Sequence, residues 1–127
     1  MDHTVLVDID VKTGEQIVAA LSSAGMDIKV AMWATFADYY SPRFVLASTW
    51  FDDYDPRPGY EQVGEILRNS KLPTHRFPTL LIMRMTDPFI EDLRRTFSSA
   101  SDVEGMRLGG QTIGGRFLED GYVYRIA

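Results

Sequence analysis

The chain of 127 residues contains no cysteine and only two histidines, His3 and His75. Without thiols there can be no disulfide, no thiolate metal ligand and no cysteine nucleophile, which suits a reducing compartment such as the cytoplasm. Neither histidine has another nearby in sequence, so both read as surface residues rather than a general base or a metal pair. Long apolar runs are also missing. None approaches the roughly 20 residues a membrane-spanning helix needs, and the opening MDHTVLVDID carries acids where a secretory signal carries basic residues. The expectation is a cytoplasmic protein with no membrane contact.

Basic charge is in deficit, with 13 Lys and Arg against 18 Asp and Glu and a net charge of −5. A duplex nucleic-acid backbone would therefore meet net repulsion instead of the clustered cations that release its counterions. The serines lack a G-x-S-x-G elbow. The glycine pairs do not follow the strand-loop-helix order that cradles phosphate. No catalytic residue, metal ligand or cofactor is assigned, and the balance leans away from an enzyme.

What is present suffices for one folded domain over residues 1–127. Apolar residues make up 45% of the chain and aromatics 12%, close to ordinary globular composition. TVLVDIDV at Thr4–Val11 alternates like a half-buried strand, yet Leu6, Ile9, Thr13, Ile17 and Leu21 also fit a helical stripe, so both readings stand. Glu15–Ala24 reads as helix, with Gly25 as its stop. Ile28–Phe36 and Phe44–Phe51 are rich in β-branched and aromatic residues and read as central strands forming a hairpin, with Trp33 and Trp50 packed in the core.

Asp53-Tyr54-Asp55-Pro56 supplies a capping carboxylate and a first-turn proline for a second helix ending near Ser70. Capping also accounts for Asp53 or Asp55 without a hard cation. Thr79–Met83 is a short covered strand, and Thr86-Asp87-Pro88 opens a third helix through Phe97. Strands around Met106–Ile113 and onward to Ile126 complete an α+β domain: a mainly antiparallel sheet covered by about three helices, in the order α-β-β-α-β-α-β-β, with the helices expected on one face.

The last stretch concentrates the candidate site. Gly114-Gly115 and Asp120-Gly121 both suit a primed hairpin turn. A turn at Gly114-Gly115 sets Glu119 opposite Gly110 and Asp120 opposite Gly109, leaving side-chain-free room beside both acids. Strand alternation then sends Glu119 and Asp120 to opposite faces, which argues against an acid pair. A turn at Asp120-Gly121 would put both at an exposed tip. Tyr122, Tyr124 and Arg125 follow as contact candidates because aromatics and arginine dominate interface energetics. Tyr39, Tyr40 and Arg43 form a second cluster around a loop.

Met32-Trp33, Arg43-Phe44-Val45-Leu46-Ala47, Asp87-Pro88 and the closing Gly114-Gly115-Arg116-Phe117-Leu118-Glu119-Asp120-Gly121-Tyr122-Val123-Tyr124-Arg125 occur in an order that resembles a widespread set of small uncharacterised bacterial proteins. These end in an asparagine-glycine turn, a short apolar run, Glu-Asp, a small residue and Tyr-x-Tyr-Arg. Alanine is frequent there in place of Gly121, so the resemblance favours the Gly114-Gly115 hairpin. It implies a single α+β domain and brings no activity. This chain departs from the pattern in Gly114, where asparagine is usual, and in the longer proline-containing loop Asp53–Pro58.

Three functions follow as expectations. The first is a non-enzymatic module acting on a protein partner or as a homodimer. The second is a metal-assisted hydrolase of a phosphodiester or nucleotide that uses Glu119 or Asp120 with Arg43 or Arg125. The third is a small-ligand sensor with a pocket of Trp33, Trp50 and tyrosines.

Overall fold

The computed structural model describes residues 8–52, 55–97 and 102–127. Its elements run α1 (Asp8–Ser23), β1 (Val30–Phe36), β2 (Arg43–Ala47), α2 (Arg57–Arg68), β3 (Leu80–Met83), α3 (Pro88–Phe97), β4 (Arg107–Leu108), β5 (Gln111–Ile113) and β6 (Arg116–Ile126), with 3-10 turns at Thr49–Phe51 and Thr74–Arg76. The α+β class and element order stand, with the penultimate strand broken into β4 and β5. Gly110 at φ +66° lies in that break. Among the described residues no helix is long and apolar enough to cross a membrane.

Helix α1 takes Asp8–Val11 into its first turn, so the strand reading fails there; Thr4–Val7 lies outside the described residues. The helix stops at Gly25, whose φ of +85° supplies the left-handed residue of a C-terminal cap. The proline-led start holds for α3, which begins at Pro88, whereas in α2 Pro56 is the N-cap and Pro58 lies in the first turn. Asp55 Oδ1 accepts the Arg57 amide at 3.0 Å, and Asp87 Oδ1 accepts the Phe89 amide at 2.9 Å. Each satisfies a backbone donor that the first helical turn leaves unpaired. Asp53, the other capping candidate, lies outside the described residues.

The sheet order is β3-β2-β1-β6-β4, with β5 also paired to β6. Pairing is antiparallel throughout except between β2 and β3, which α2 joins in a parallel crossover. Strand β1 is buried along its whole length, and its alternation feeds two cores. Met32, Ala34 and Phe36 meet Phe89, Ile90 and Leu93 of α3 on one face. Ala31 and Trp33 meet Ile17 and Leu21 of α1 and Val63 and Leu67 of α2 on the other. The helices thus cover both faces, correcting the one-face expectation. A central strand apolar on both sides leaves neither face free for water.

Strand β2 ends at Ala47, earlier than its aromatic sequence suggests. Ser48 Oγ donates to the Asp27 carbonyl at 2.6 Å and accepts the Trp50 amide at 3.2 Å, which turns the chain into the 3-10 segment. Trp50 therefore emerges 44% exposed instead of packing in the core. Trp33 is buried, and its indole donates to the Asp10 carbonyl at 3.0 Å.

Candidate functional site

The chain reverses at Gly114-Gly115. Ile113 pairs with Arg116 and Gln111 with Leu118, and both glycines have positive φ, +55° and +85°, as a type I′ turn requires. The tip is docked on α3: the Gly114 amide donates to Asp92 Oδ2 at 2.8 Å. That bond, with Arg95 beside it, holds the Asp92 carboxyl below its usual range. The same register continues into β4, where Leu108 pairs with Gly121, so Gly109 and Gly110 do fall opposite Asp120 and Glu119.

The room beside the acids is unequal. A side chain at Gly110 would meet nothing within 4 Å, whereas one at Gly109 would come within 2.7 Å of the Glu119 carbonyl. Asp120 is also engaged, by Arg107 at 2.9 and 3.0 Å and by the Gly121 amide at 2.9 Å. Arg107 was absent from the sequence-based candidates although its diagonal position was readable: it pairs with Tyr122, two residues beyond Asp120, within reach of a long side chain.

Strict alternation breaks at the acids. Against β1, Asp120 pairs with Thr35 and Leu118 with Phe36, which leaves Glu119 as the extra residue of a bulge. A second bulge isolates Tyr124 between Val123, paired with Met32, and Arg125, paired with Ala31. Thr35 lies beside the first bulge. Its hydroxyl is buried with no hydrogen-bond partner, and an unmade bond of that kind costs about 1–3 kcal/mol.

The aromatic candidates separate by burial. Tyr124 is 8% exposed and packs against Phe44, with its hydroxyl donating to the Val11 carbonyl at 2.7 Å. It clamps α1 onto the sheet, which corrects its assignment as a contact residue. Tyr122 is half-buried, edge-on to Tyr124 at 5.2 Å. Arg125 is exposed. Burial pushes the Tyr124 phenol above its ordinary value of 10.0. The folded state therefore keeps a proton that the unfolded chain releases above pH ~10, so this stabilisation is complete below that pH and is lost as pH rises through the folded value. Urea midpoints should fall as the pH climbs above about 10, and Tyr124→Phe should flatten that fall. An alkaline limb unchanged in the variant would assign the effect elsewhere.

The loop cluster lies at the same end of the sheet as the start of β6, because the Ala37 amide donates to the Phe117 carbonyl at 3.1 Å. Tyr40 there is 72% exposed and Phe117 44% exposed. The Arg43 guanidinium lies 4.4 Å over the Tyr39 ring and donates to Ser41 Oγ at 3.0 Å. Tyr39 meets Phe36 edge-on at 6.0 Å, and Arg116 lies 5.3 Å over the Phe36 ring. Two arginines are thus seated on one run of aromatic rings. Glu119 and Asp120 flank this end, while Tyr122, Tyr124 and Arg125 run away from it along β6.

The hydrolase arrangement would need an acid of the ribbon and Arg43 or Arg125 in one cleft. Asp120 is instead paired with Arg107, and Arg43 and Arg125 belong to strands on opposite sides of β1. Among the described residues no group of three or more metal-ligating side chains is assembled. Of the two tryptophans, Trp33 is buried in the core and Trp50 is exposed. Comparison with protein-family models, with curated proteins and with solved structures finds no match for this chain.

Proposed function

We propose that the chain is a non-enzymatic interaction module that engages a protein partner or a second copy of itself through the end of the sheet where the β1–β2 loop meets the start of β6. The carrying observation is the exposure of Tyr40 and Phe117 on segments tied together by the Ala37–Phe117 backbone bond. Aromatic residues and arginine are the usual hot spots of interfaces. Arg43, held over Tyr39, loses little side-chain freedom on binding, which lowers the entropic cost of association.

Replacing Tyr40 and Phe117 together by alanine should weaken association by about 2 kcal/mol or more, roughly 30-fold, with an unchanged circular-dichroism spectrum. For self-association, light scattering across a concentration series should show twice the single-chain mass, reverting to one in the variant. For another protein, capture on the immobilised chain should be lost in the variant. A variant matching its parent in both measurements refutes the proposal.

A further inference from the structure

The parallel crossover leaves a cavity of about 390 Å³ alongside β3, whose lining includes Phe51, Leu81 and Met83 and the charged groups Arg84, Asp87 and Arg116. Open sheets receive ligands outside the carboxyl ends of parallel strands, where the following loops diverge. The volume falls within the range of small-molecule sites. Its floor is apolar, with Met83 buried and Leu81 partly so.

Arg116 is the group without an assignment. It is half-buried, and among the described residues its guanidinium donates no hydrogen bond and meets no carboxylate; it lies 5.3 Å over the Phe36 ring. A guanidinium carries five N–H donors in a planar fork, and a partly desolvated cation is costly until an anion satisfies them. The ring's negative face compensates charge without accepting those hydrogen bonds. Asp87 does not serve as that anion: its carboxylate caps α3 through the Phe89 amide.

Strand pairing at this edge is already blocked. In the parallel register Thr79 turns its carbonyl to Phe44 of β2, so Ile82 points its amide outward. That amide donates to the Tyr60 hydroxyl at 3.0 Å. An added strand would have to displace Tyr60, whereas a discrete molecule seated on Leu81 and Met83 would not.

We propose that this cavity binds a small amphipathic carboxylate, its anionic end held by the Arg116 fork and its alkyl or aryl body laid on Leu81 and Met83. Arg84, the second guanidinium of the lining, already has a partner, and the apolar floor favours a monoanion with a hydrocarbon body over a doubly charged phosphate that would leave that floor uncovered. This site is separate from the Tyr40–Phe117 surface and stands or falls independently of it.

The test is NMR of methyl-labelled methionine, read at Met83, during titration with 3-phenylpropionate, with the neutral alcohol 3-phenylpropanol and with inorganic phosphate. Saturable shifts of the Met83 methyl with 3-phenylpropionate are expected, with binding weakened about tenfold or more in Arg116→Gln and about tenfold or more for the alcohol on the parent protein. The comparison of acid with alcohol needs no variant, so it decides the matter even if Arg116→Gln folds poorly. Absence of a saturable Met83 response, equal binding of acid and alcohol, or phosphate competing as well as the acid would each overturn the proposal.

Discussion

Alanine at Gly114 is expected to destabilise the fold by about 2–5 kcal/mol, a large share of the 5–15 kcal/mol typical of a domain. Two costs add. The backbone there has φ +55°, and a Cβ in the left-handed region costs about 1–2 kcal/mol. The new methyl would also overlap the Pro88 carbonyl and the Phe89 amide. These are backbone atoms in the first turn of α3 that no side-chain rotation can move, so relief requires lifting the hairpin from the helix, at about 1–3 kcal/mol for overpacking of this kind. Lifting it also breaks the bond from the Gly114 amide to Asp92. Gly115 supplies the internal control, since its φ is +85° but a side chain there meets nothing within 4 Å. Gly115→Ala should show only the conformational cost, about 1–2 kcal/mol. Equal losses in urea unfolding for the two variants would show that the tip is not docked on α3.

Gly14→Ala is expected to cost about 1–5 kcal/mol, although alanine in a helix interior ordinarily gains about 1 kcal/mol over glycine. Gly14 lies on the buried face of α1, and a methyl there would overlap the Tyr124 hydroxyl and the end of its ring. Tyr124 has little room to yield, being bonded to the Val11 carbonyl at 2.7 Å and packed against Phe44. Displacing it breaks a buried hydrogen bond, about 1–3 kcal/mol, and strains the packing by a similar amount. Removing the hydroxyl makes part of the needed space, so Gly14→Ala with Tyr124→Phe should be less destabilised than the sum of the single changes. Strict additivity in thermal unfolding would place the two residues out of contact.

Local chemistry was legible in the sequence where one residue decides it. The capping carboxylates Asp55 and Asp87, Gly25 after α1 and the Gly114-Gly115 turn each act within a few bonds of themselves, and each is found as read. What escaped is set by partners remote in sequence. The FVLASTWF run has the composition of a strand throughout, but the bond from Ser48 to Asp27 ends it and turns Trp50 outward. The bulges at Glu119 and Tyr124 depend on how β6 fits β1, so alternation within β6 could not show them. The burial of Tyr124 was not legible because aromatic character is the same whether a ring faces solvent or α1. Phe117 was passed over for the converse reason. Its exposure follows from where the hairpin leaves the sheet.

Strand β6 is last in sequence yet lies between β1 and β4. On a ribosome, the hairpin of β1 and β2 emerges with one flank bare, and that flank stays uncovered through the roughly 70 residues between Ala47 and Arg116, about 3–14 seconds at usual elongation rates. An unpaired apolar edge invites association with other chains. Nascent chains stalled before Arg116 should therefore be the form most dependent on chaperones, whereas chains extended past Ile126 close their own seam.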